Sequence, residues 1–122
     1  MSERPQHEVA ARLNAELAER LKNWTQPGDH VWLPTLNYYT ALQLFEAAEA
    51  FLGFHHGRSD DRFIALAARY PAASGDFRKL RQLSETWRYK GLQPSKDDVR
   101  KSAAWANHVA SVIGEAWPTD AT

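Results

Sequence analysis

Four clusters of backbone breakers decide what this chain can fold into: 25-TQPGD-29, 53-GFHHGR-58, 71-PAASG-75 and 91-GLQP-94. The segments between them are of helical length, rich in Ala and Leu and poor in β-branched runs. The pattern predicts five helices, over roughly 6–23, 32–53, 59–70, 76–90 and 95–117, and no strand. Short connections make neighbours antiparallel, so the expected architecture is an all-α bundle. A chain of 122 residues is of single-domain size and buries a core without staples. The expected organisation is an N-terminal helix and loop over 1–30, a bundle core over 31–117 and a flexible tail at 118–122.

Local chemistry supports these boundaries. Ser59 stands before Asp60 and Asp61, as an N-cap followed by carboxylates that the helix dipole stabilises. The two aspartates therefore read as a helix start rather than a catalytic dyad. Ser95 with Asp98 forms a capping box in which Asp replaces Glu. Gly91 falls where a helix C-terminus wants a left-handed residue.

The absence of cysteine excludes disulfides and thiolate metal sites. The opening MSERPQHEVAARL lacks the basic start and apolar run of a secretory signal. No apolar run approaches the ~20 residues of a membrane span. The expectation is a soluble cytoplasmic protein. Net charge is zero but unevenly spread: residues 1–53 carry 4 basic and 7 acidic side chains, whereas residues 54–101 carry 11 and 6. Ten of the 15 basic residues are Arg, whose planar fork suits phosphate and carboxylate. The basic middle segment either serves a polyanion or docks against the acidic first helix.

Several side chains stand out. On the second helix Tyr38, Leu42, Phe45 and Leu52 share a stripe that also contains Glu49. An ionised Glu facing a core needs a partner, and Arg88 is the predicted one, with ligand contact as its second role. Glu46 is the easier of the two glutamates to leave solvated. On the fourth helix Phe77, Leu80, Leu83 and Trp87 form the predicted core stripe, with Arg81, Ser84 and Arg88 along its edge. On the fifth, Val99, Ala103, Ala106, Ala110 and Ile113 form the stripe. Roughly opposite lie Lys101, Trp105, His108 and Val112, which read either as an interface or as packing against the first helix. His55 and His56 sit on a Gly-flanked loop beside Arg58. Adjacent histidines seldom ligate one metal, and no Glu-x-x-His pair is present, so neither metal nor cofactor is expected.

Two stretches resemble HEPN domains, the all-helical family of prokaryotic RNA-cleaving toxins, nucleotidyltransferase partners and defence proteins. The segment 38-YYTALQLFEAAEAFLGF-54 is similar to the family's early helix, with Glu49 matching the Glu of its Ala-Glu pair. The segment 78-RKLRQLSETWRYKG-91 is similar to the "Leu, spacer, Ser, spacer, Arg-Tyr" stretch of a small HEPN-like subgroup. The likeness spans about residues 31–114. It implies a HEPN-like antiparallel four-helix bundle core with an additional helix, forming a homodimer. It also implies an RNA- or nucleotide-binding protein of toxin–antitoxin or defence type, of which a metal-independent ribonuclease is one form. The alternatives are a non-catalytic HEPN-like module that assembles with a partner protein such as a nucleotidyltransferase, and an unrelated helical adaptor.

HEPN ribonucleases carry an Arg followed after four to six residues by a His. The near copy here is Lys101 and, after six intervening residues, His108, although Lys lacks the guanidinium fork. Under the resemblance the catalytic candidates are His108, Lys101 and Arg88, with a His moving the proton of a ribose 2′-hydroxyl and a cation stabilising the phosphorane. The ligand-binding candidates are Arg62, Arg81, Tyr89, Trp105, His55 and His56. In the subgroup a His precedes the Arg matching Arg62, where this chain has Ser59. His55 or His56 substitutes only if its loop folds back.

Overall fold

The computed structural model describes residues 4–22 and 29–116; the expected tail at 118–122 and most of the first break lie outside them. The chain forms helices α1 (Arg4–Lys22), α2 (Leu33–Phe51), α3 (Ser59–Arg69), α4 (Pro71–Lys90) and α5 (Lys96–Ala116), with a 3₁₀ turn at Asp29–Trp32 leading into α2. No strand occurs among the described residues, and the molecule is an all-α bundle.

Side-chain contacts fix the directions. His7 of α1 meets Gln43 near the far end of α2, whereas Ala18 packs beside Leu33 at its start, so the two helices are antiparallel. Tyr38 of α2 meets Phe77 of α4, and Thr35 meets Ser84, again antiparallel. Lys79 lies over Trp105, and His108 bonds Asp76, which sets α5 antiparallel to α4. The main core is shared by α2, α3, α4 and α5, with Phe45, Leu66, Phe77, Leu80, Val109 and Ile113 essentially shut off from water. Each such side chain contributes about 1.5–3 kcal/mol by leaving water. Helix α1 covers a second, smaller cluster built on Ala18 and Leu33.

Two boundaries and two buried stripes differ from expectation. The stretch 71-PAASG-75 is helical, and Tyr70 alone separates α3 from α4. Proline fits there because the first turn needs no N–H from it, while the preceding residue takes a non-helical φ of −132°. At α3, Arg58 rather than Ser59 holds the cap position. The buried stripe of α5 runs through Ser102, Ala106, Val109 and Ile113: Ala106 and Ile113 are as predicted, whereas Ser102 and Val109 take the places expected for Ala103 and Ala110, which are half-buried. On α4, Ala73 and Ser84 join Phe77 and Leu80 inside, whereas Leu83 and Trp87 are half-buried. The expected capping box is present, with the Asp98 amide donating to Ser95 Oγ at 3.0 Å and the Ser95 amide to Asp98 Oδ2 at 3.2 Å. Gly91 closes α4 at φ +67°.

Candidate functional site

The end of α2 determines where the histidine loop goes. Gly53 takes φ +88°, open to glycine at little cost. Its amide bonds the Ala50 carbonyl at 3.0 Å while the Phe54 amide bonds the Glu49 carbonyl at 2.8 Å, the Schellman closure. The loop folds back, and His56 donates from Nε2 to Glu49 Oε1 at 2.8 Å while stacking on Phe45. From α3, Arg69 donates Nε to Glu49 Oε2 at 2.7 Å and Nη2 to Oε1. Glu49 is 0% exposed. Burial alone would push its carboxyl up, but the hydrogen bonds and charges of Arg69 and His56 outweigh that and hold it below the usual range.

This corrects the expected Glu49–Arg88 pair: the need for a buried partner is met by Arg69 and His56. Glu46, expected in water, is also buried and accepts from Arg62 Nε at 2.7 Å. The two carboxylates of α2 thus hold the two ends of α3.

Arg88 is bound differently. Its Nε donates to Ser84 Oγ at 2.8 Å, and its Nη1 donates to Tyr39 Oη and Tyr89 Oη, each at 2.9 Å. The guanidinium carbon lies 4.7 Å from the ring centroid of Tyr89 and 5.3 Å from that of Tyr39. Every fixed partner is a neutral hydroxyl, and no carboxylate pairs with this cation among the described residues. Around it lies a cleft of about 330 Å³ whose walls include Tyr39, Tyr89, Arg62 and Arg81. Arg81 is held by Glu85 at 2.6 Å. Tyr38 forms part of the cleft wall; burial raises its phenol although Arg81, Arg62 and Arg88 pull the other way, so it remains a neutral hydroxyl. Three guanidiniums converge with two carboxylates to offset them, leaving the positive charge centred on Arg88.

The remaining candidates fall elsewhere. Lys101 pairs with Asp97 at 2.9 Å. His108 Nδ1 lies 2.7 Å from Asp76 Oδ2, and Trp105 sits under Lys79. The face expected to be an interface or to meet α1 is therefore partly engaged with α4. Asp76 and Arg88 are twelve residues apart on α4, about 18 Å along its axis, so His108 and Arg88 of one chain do not act on one phosphate. His55 and His56 line a hollow of about 300 Å³ that adjoins the cleft at Leu42 and Arg62.

The sequence does not single out Arg69, Tyr39 or Asp76 as functional partners. The one signal for Arg69 is its place in the last turn of α3, opposite the carboxylate stripe of α2. No group of three or more His, Asp or Glu side chains is arranged for a metal among the described residues. No described helix is long and apolar enough to cross a membrane. Compared with known proteins, the chain matches no family model, no curated protein and no solved structure.

Proposed function

We propose that this chain is a HEPN-like RNA-binding protein that holds a backbone phosphate in the cleft around Arg88. The observation that carries the reading is a guanidinium fixed by three hydroxyls and, among the described residues, left without a carboxylate, with two further arginines on the same walls. An arginine placed only for stability would gain more from an anionic partner, and among the described residues the two N–H groups on Nη2 remain to donate to phosphate oxygens. Tyr39 and Tyr89 add hydroxyl donors and ring faces against which a ribose or base packs. The HEPN-like likeness of 38–54 and 78–91 runs through Tyr39, Arg81, Arg88 and Tyr89, and so bears on the same cleft.

Cleavage is a second reading with one observation in its favour. The hollow adjoining the cleft brings His56 and Arg62 together. The Glu49 carboxylate, 2.8 Å from Nε2, orients the His56 ring at this hollow, the kind of contact that positions a proton-transferring histidine.

Single-stranded RNA titrated against the wild type, Arg88→Ala and Arg88→Lys at several salt concentrations tests the binding. Arg88→Ala should weaken affinity about tenfold and reduce the salt slope by ~0.7, the loss of one phosphate contact. Arg88→Lys should restore the slope without the full affinity. Wild-type protein that ignores RNA at low salt would leave a protein-interaction module as the reading. Incubation with total RNA in chelator separates the catalytic form: products lost in His56→Ala and retained in His108→Ala support it, and no products at all leave binding alone.

A further inference from the structure

A groove between α3 and α4 opens onto the arginine–tyrosine cleft, sharing Arg81 and Glu85 with it. The groove measures about 570 Å³, more room than a phosphate fills. Its surface also differs in kind. Ile64 leaves 68% of its area exposed, and Ala67 lies on the same wall. Phe63 packs edge-on against Phe77, and the guanidiniums of Arg78 and Arg81 lie 5.9 and 4.9 Å from its ring centroid. An apolar lip beside cations laid over an aromatic ring is poorly wetted and suits a flat π-system. Gln82 supplies donors and an acceptor at the rim. Asp60 adds a second carboxylate to the shared Glu85. It repels a second phosphate and can accept from an exocyclic amine.

We infer that this groove is a base-binding subsite: the nucleotide whose phosphate sits at Arg88 lays its base across Ile64 and Ala67. The inference rests on the phosphate-binding reading of the cleft and narrows it to an unpaired nucleotide, because a base in a duplex is already stacked and paired.

Adenosine 5′-monophosphate and ribose 5-phosphate, titrated calorimetrically against the wild type, Ala67→Phe and Arg88→Ala, test it. The wild type should bind the nucleotide about tenfold more tightly than the sugar phosphate, the contribution of one stacked base. Ala67→Phe fills the groove from an exposed position and should erase that preference while leaving ribose 5-phosphate binding unchanged. Ile64→Gln, at another exposed site, should reduce the preference if Ala67→Phe fails to fold. Arg88→Ala should weaken both ligands. Equal wild-type affinity for the two ligands, with both weakened in Arg88→Ala, would overturn the subsite and leave the phosphate cleft standing. Binding of both ligands that is indifferent to Arg88 would overturn the cleft, and the subsite with it.

Discussion

Glu49→Gln keeps side-chain volume and helix propensity nearly constant and removes one charge from the interior. The carboxylate accepts two hydrogen bonds from Arg69 and one from His56 while fully buried. Charge-assisted bonds contribute ~1.5–3 kcal/mol each and neutral ones ~0.5–1.5, so weakening three of them would cost about 3 kcal/mol. The Arg69 side chain is 32% exposed and can turn partly to water, which lowers the expected loss to about 2 kcal/mol. Urea unfolding followed by circular dichroism at pH 7 should show the midpoint falling by about 1 M, for a slope near 2 kcal/mol per molar. The Glu49 carboxyl is lowered in the folded state, so its contribution is complete above the ordinary glutamate value of ~4.3 and is lost as pH falls through the folded value. The gap between wild type and variant should therefore close in strong acid. A double-mutant cycle should give a coupling above ~1 kcal/mol with Arg69→Ala and almost none with Arg88→Ala. Equal midpoints at pH 7, or a gap that persists undiminished at low pH, would refute the argument.

Two further changes probe the cleft and the turn beside it. Glu85→Gln releases Arg81 from its 2.6 Å partner and should raise RNA affinity severalfold at low salt; unchanged affinity in a filter or anisotropy assay would move the RNA elsewhere. Gly53→Ala meets no neighbouring atom within 4 Å, so its cost is that of φ +88° alone, about 1 kcal/mol or a fall of ~4 °C in melting temperature. An unshifted melt would contradict the left-handed closure of α2.

Helix number and most helix ends were legible because they depend on local chemistry: Gly53 and Gly91 end helices, and the Ser95–Asp98 box starts one. The break at 71–75 was misread because Pro71 and Gly75 look alike as punctuation, although proline is welcome in a first turn. Periodicity also marked Glu49 as embedded, since its neighbours on α2 are apolar. It could not name the partner. Arg69 and Arg88 are both arginines near helix C-termini, and only the crossing of α3 over α2 decides between them. On α5 the expected Ala103 and Ala110 gave way to their neighbours Ser102 and Val109 because scattered alanines hardly distinguish one face from another. The face that is buried there includes Ser102, which donates to the Val99 carbonyl and accepts from Asn37. A polar residue satisfied in this way carries no mark of burial in the sequence.

The cleft was half legible. Arg81, Arg88 and Tyr89 share a stretch of α4, whereas Tyr39 and Arg62 reach them only through packing. The Lys101–His108 spacing, suggestive on paper, is occupied by separate acidic neighbours.

Glu49 ties down the chain twice, its carbonyl closing the turn after α2 and its carboxylate gripping the imidazole three residues beyond Gly53. Fraying at this corner and rupture of the interior thus become one event. A segment that looks like a surface connection is, in energetic terms, bolted to the middle of the molecule, and the adjoining hollow keeps its shape for as long as the protein stays folded.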